Sequence, residues 1–178
     1  MTTAVPRVLI HRLPADVEET ITTLGAMPTR CSVSADIVVS NGPAPETPEV
    51  DTLQIGGAIG LPARGGWYTE EPVMTPRWDV ALGAELMGLS ALARATLLTD
   101  PPGSGQRWCG PRPVPDWFLG TTPLVSSDSG HHAAMVLRRP CGAKLWWVSG
   151  ATLDYLPWVE VFLEHTLDHA DVTEAVTA

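Results

Sequence analysis

The sequence predicts an α+β fold: a single domain in which an antiparallel C-terminal meander packs against a C-terminal helix. Three observations carry that prediction. The chain has 178 residues, 44% of them hydrophobic, which suffices for one substantial core and would be cramped for two. Its 16 Gly and 17 Pro demand many turns and limit long helix. Finally, Phe118 to His169 reads as one continuous unit of apolar strand, polar turn, two short strands and an amphipathic helix.

The elements follow in order. Val8-Leu9-Ile10 is a short apolar strand. Pro14 opens a helix whose apolar Val17, Ile21 and Leu24 share a face, with Asp16, Glu18 and Glu19 favouring its N-terminal dipole and Gly25 placed to end it. Ser32 to Ser40, with Val33, Ile37, Val38 and Val39, is rich enough in β-branched residues for a second strand. Residues 41–76 are loop-rich, with Leu53-Gln54-Ile55 a short strand and Gly65-Gly66-Trp67 a turn. Asp79 to Leu98 is an apolar middle, helical over its first half and a strand over Ala95 to Leu98; residues 100–115 form a Pro/Gly-rich loop. The meander comprises Pro123-Leu124-Val125, a turn at Ser126 to Gly130, Ala133 to Leu137, a turn at Arg138 to Ala143, and Lys144 to Ser149. Asp154 is placed to cap the last helix, Pro157 sits in its first turn, and Val159, Phe162, Leu163, Thr166 and Ala170 form its buried stripe.

Charge narrows the classes of partner. A formal net charge of -9 repels phosphate backbones and anionic headgroups, and the scattered arginines form no basic patch, so neither nucleic acid nor membrane is expected as a partner. An acidic surface instead steers a basic protein partner. Lys144 is the single lysine, a bias that fits a GC-rich bacterial genome. Cys31, Cys109 and Cys141 are odd in number and never spaced C-x-x-C, which points to a reduced, cytoplasmic setting without disulfide or structural zinc. The first 15 residues are interrupted by Arg7, His11 and Arg12 and do not read as a secretory signal.

The catalytic motifs fail on their chemistry. Asp100 to Arg107 resembles a phosphate loop but has Asp100 for the first Gly, Gln106 for the Lys and Arg107 for the Ser or Thr. Gly56-Gly57-Ala58-Ile59-Gly60 lacks the dinucleotide fingerprint, and G-x-S-x-G is absent. Cys141 paired with His131 would be a thiol nucleophile, but incidental thiols are far commoner. His165 and His169 lie four apart on the last helix and, with His131 or His132 as third ligand, would make a small metal-dependent enzyme the alternative reading. Against it, Asp168 lies off that imidazole face at ~100° per residue, and the helix lacks the general-base Glu of H-E-x-x-H sites. The pattern therefore favours a surface role near the helix C-terminus for these histidines, with Trp158 on the same flank, and no metal or cofactor.

Glu160, Glu164, Asp168 and Asp171 gather on one side of the last helix, giving an acidic face for a protein partner. Trp146 and Trp147, adjacent in a strand, point to opposite faces, so at least one, taken as Trp147, is expected at an outer surface as a further partner contact. A structural or assembly protein, for instance of a bacteriophage, is a third reading that loop-rich composition permits.

The order of strand, Asp128-x-Gly130 turn, strand, Pro140-x-Gly142 turn and strand, followed by Leu156-Pro157-Trp158-Val159-Glu160-Val161-Phe162-Leu163-Glu164, resembles the C-terminal half of the SUKH superfamily. There a meander delivers the chain into a helix beginning roughly S-F-E-x-F-L, to which Trp158 to Leu163 is similar, with Val159 in the first aromatic position. The family's N-terminal L-P-x-D-Y and N-G are only partly echoed by Leu13-Pro14-Ala15-Asp16 and Asn41-Gly42. The resemblance implies an α+β fold that binds protein partners, often as an immunity protein neutralising a toxin, without catalysis.

Overall fold

The computed structural model describes residues 5–43, 49–57, 72–74, 78–80, 96, 107–109, 120–127, 132–150 and 156–168. The α+β class is as expected. The chain opens with β1 (Arg7–His11), whose Val8 is fully buried. Pro14, extended at φ -61 and ψ 151, leads into α1 (Ala15–Thr23), which buries Val17, Thr20 and Ile21. Gly25 at φ 84 terminates it. The Gly25 N–H donates to the Thr22 carbonyl at 3.0 Å and the Ala26 N–H to the Ile21 carbonyl at 3.2 Å, the paired bonds of a Schellman end that only a left-handed residue closes without strain.

Next come β2 (Met27–Thr29), a single 3-10 turn at Ser32–Ser34, β3 (Ile37–Asn41) and β4 (Asp51–Ile55). The strand expected from Ser32 starts only at Ile37, and Val33 is 94% exposed. Local hydroxyl chemistry accounts for this. The Cys31 N–H donates to Thr29 Oγ1 at 3.1 Å and Ser34 Oγ to the Cys31 carbonyl at 3.5 Å, bonds that offer the backbone an alternative to a ladder. Asp36 then sets the register: its N–H donates to the Arg7 carbonyl at 2.8 Å, and its carboxylate accepts the Arg7 N–H at 2.8 Å and pairs with the guanidinium at 3.4 Å.

The later elements are β5 (Pro72–Met74), β6 (Trp78–Val80), β7 (Arg107–Cys109), β8 (Gly120–Ser127), β9 (His132–Arg138), β10 (Lys144–Val148) and α2 (Leu156–Asp168). An eight-stranded sheet runs β2-β1-β3-β4-β10-β9-β8-β6, while β5 and β7 form a separate antiparallel pair. From β2 to β10 neighbours are parallel; from β10 to β6 they are antiparallel. The predicted meander is therefore present as β8-β9-β10, with the Arg139–Ala143 turn closed by Arg139 N–H to Ala143 carbonyl and Gly142 N–H to Arg139 carbonyl, both 3.0 Å. The short strand read at Leu53-Gln54-Ile55 is present as β4, which lies mid-sheet between β3 and β10, while segments read as loop supply β5 and β7, within 41–76 and 100–115. Thr96, expected in a strand, is helical. Asp79 and Val80, expected to begin a helix, lie in β6, and Ser126 and Ser127, expected in a turn, continue β8. Residues 81–95 and 97–98 of the apolar middle, the phosphate-loop look-alike before Arg107, the turn at Gly65, Asp128 to Gly130, and Asp154 and Ala170 lie outside the described residues.

Both faces of the sheet are buried, as parallel sheets require. On one, Ile10, Val39, Leu53, Val136 and Trp146 meet Ile21 of α1 and Phe162 of α2. On the other lie Met135, Leu137, Leu145 and Trp147, with Ser40, Thr52 and Gln54 also buried. Trp146 and Trp147 do point to opposite faces, but neither is at a surface, at 2% and 0% exposed. Alternation assigns the face; it does not say whether that face is covered. Each fully buried large side chain contributes about 1.5–3 kcal/mol, so this layer of tryptophans anchors the centre of the fold.

Candidate functional site

Along α2, Val159, Phe162, Leu163 and Thr166 are buried as expected, and Trp158, Val161, His165 and Leu167 are buried as well. What remains exposed is Pro157 and a single line of carboxylates, Glu160, Glu164 and Asp168. Spaced four apart, they rise about 12 Å along the helix. The ion pairs among the described residues, Arg7 with Asp36 and Arg30 with Glu18, leave all three out. Asp171 lies outside the described residues. Trp147, expected beside this stripe, is instead in the core, and its Nε1–H donates to the Gly57 carbonyl at 3.3 Å.

The placement of the stripe opposes helix stability. Like charges at i,i+4 cost about 0.2–0.5 kcal/mol per pair. The first turn of α2 carries no acidic residue, while Asp168 ends the helix where its dipole is negative.

The histidines expected near the surface divide. His165 is 3% exposed, its ring edge-on to Trp146 with centroids 5.0 Å apart, so it serves as a core aromatic between α2 and β10. Trp158, read as a flanking surface residue, is fully buried and packs 6.3 Å from Phe162. His132 begins β9, while His131 and His169 lie outside the described residues. Among the described residues no three His, Cys, Asp or Glu side chains gather to hold a metal, and no helix is long and apolar enough to cross a membrane. Cys31 and Cys141 are exposed and form no disulfide among the described residues.

The two ends of the parallel strands differ in chemistry. At the amino end, a cavity of about 420 Å³ is lined by Asp36, Glu49, Asp51, Cys141 and Gly142 among others. Two of its carboxylates are structural: Asp51 Oδ1 accepts the Lys144 N–H at 2.7 Å, and Asp36 holds Arg7, whereas Glu49 is exposed. Beside it Arg139 Nη1 donates to the Val50 carbonyl at 3.0 Å, tying the β9-β10 turn to β4. Burial lowers the Arg139 pKa from its ordinary value, opposed by the neighbouring Cys141 and Asp51.

At the carboxyl end, side chains pin the turns that leave the strands. Ser40 Oγ donates to the Gly42 carbonyl at 2.9 Å and Gln54 Nε2 to the Gly56 carbonyl at 2.9 Å. Gly57, at φ 74, crosses so close to the preceding loop that a Cβ there would lie 2.8 Å from Gly42 Cα. At the end of β1, Arg12 adopts φ 55, the sole positive φ of a non-glycine among the described residues. That conformation costs an L-residue about 1 kcal/mol or more. Sequence reading passed over Arg12, because nothing in residue type alone marks a left-handed arginine.

No protein-family model matches this chain, and no curated protein matches it significantly.

Proposed function

We propose that the protein is a cytoplasmic protein-binding module whose partner is basic, and that its sharpest form is an immunity-type protein neutralising a toxin, as the SUKH-like pattern from Trp158 to Leu163 implies. One observation carries the reading. Beyond its first turn, the exposed residues of α2 are a line of carboxylates that repel one another, with Asp168 also opposed by the helix dipole. Residues kept at a cost to local stability serve something outside the fold. The net charge of -9 extends the same field over the molecule and accelerates encounter with a cationic surface.

The test is comparative capture from a lysate of the native host. The wild-type chain and the Glu164→Lys, Asp168→Lys double variant, both shown to be folded by circular dichroism, serve as bait. The reading expects a basic protein retained by the first and lost from the second. Equal retention of the same protein by both would refute the stripe as the contact.

A further inference from the structure

We propose that the carboxyl edge of β1 and β3 binds a small oxyanion, a phosphate or carboxylate group, through Arg12. The argument begins with an uncompensated conformation. Arg12 is held at φ 55, a region suited to glycine or asparagine. Its side chain is exposed and makes no hydrogen bond or ion pair with a described residue, so no polar contact among the described residues offsets the strain. Strain of this kind concentrates at ligand sites.

The position of Arg12 in the topology supplies the second step. From β1 the chain passes through α1 to β2 on one side; from β3 it passes to β4 on the other, and all four strands are parallel. The boundary between β1 and β3 is therefore where the winding reverses, and open α/β sheets bind ligands outside the carboxyl ends of the strands at that boundary. Arg12 stands there. The register pairs His11 with Ser40, which sets half-buried His11 and Asn41 at the same edge.

Side-chain chemistry fixes the class of ligand. A guanidinium offers a planar fork of donors matched to two oxygens of a phosphate or carboxylate. The acidic residues that begin α1 are engaged elsewhere: Asp16 Oδ1 accepts the Val17 N–H at 2.9 Å, and Glu18 lies 4.0 Å from Arg30. Their charge still weakens the binding of an anion.

The experiment is an amide NMR titration of the intact protein with sodium phosphate, sodium acetate and, at matched ionic strength, sodium chloride. The proposal expects saturable shifts at Arg12, Leu13, Asn41 and Gly42 with phosphate or acetate and not with chloride. Saturation by phosphate alone assigns a phosphoryl ligand, and saturation by acetate a carboxylate. Arg12→Gly should abolish the saturable response without lowering Tm by more than about 4 °C, since glycine suits the conformation. Equal shifts with chloride, saturable binding retained by Arg12→Gly, or a larger fall in Tm would overturn the proposal.

Discussion

Gly57→Ala tests how tightly the two loops at the carboxyl end of β3 and β4 are packed. Two costs add. At φ 74 an alanine is strained by about 1 kcal/mol. Its Cβ would also lie 2.8 Å from Gly42 Cα and 2.9 Å from Pro43 Cδ. Neither atom belongs to a flexible side-chain tip, so backbone must shift, an overpacking cost of about 1–3 kcal/mol. The sum, about 2–4 kcal/mol, corresponds in a chain of this size to a fall in Tm of roughly 4–16 °C. Gly142 provides the internal control. It has φ 95 but nothing within 4 Å of the added Cβ, so Gly142→Ala should show the strain alone, roughly 2–4 °C. Thermal and urea denaturation followed by circular dichroism measure both. Equal losses in the two variants would refute the close crossing of Gly57 over Gly42.

Further expectations concern the core, the register lock and the stripe. Phe162→Ala removes a fully buried ring and should cost about 3–5 kcal/mol in urea denaturation; a loss below about 1 kcal/mol would contradict the packing of α2 on the sheet. Asp36→Ala leaves the Arg7 N–H without its acceptor and should cost about 1–3 kcal/mol, whereas Glu49→Ala, exposed in the same cavity, should stay within about 0.5 kcal/mol. Glu164→Lys relieves repulsion with both Glu160 and Asp168 and should raise stability by about 0.5–1 kcal/mol while weakening partner binding; destabilisation would show that the stripe supports the helix.

The meander and α2 were legible because their signals are local. Alternation, a Pro140-Gly142 turn and a 3.6-residue apolar period each lie within a few residues of the contact they specify. In the parallel half β1, α1, β3 and β4 were legible as elements, but β2 and the parallel pairing were not. β2 is three residues long with Pro28 at its centre, and its place beside β1 depends on a helical crossover that no local pattern encodes. Ser32 to Ser34 shows β propensity defeated by hydroxyl groups that satisfy the backbone locally. Trp147 and His165 share one cause of misreading: periodicity gave the face of the strand or helix, and burial of that face was decided by layers distant in sequence. The same limit applied in reverse to Glu160, Glu164 and Asp168, whose common side was plain in the sequence, while the burial of every other side required the structure.

The most direct test of the central claim is the association rate of the wild-type chain with its captured partner, measured by stopped flow across a range of ionic strength. Rim charges act mainly on encounter, and screening acts over ~8 Å at physiological salt. The rate should therefore fall as salt rises while dissociation changes little, and the Glu164→Lys, Asp168→Lys variant should already be slow at low salt. A rate independent of ionic strength and unchanged in that variant would contradict the account, leaving the carboxylate line of α2 a solvated surface.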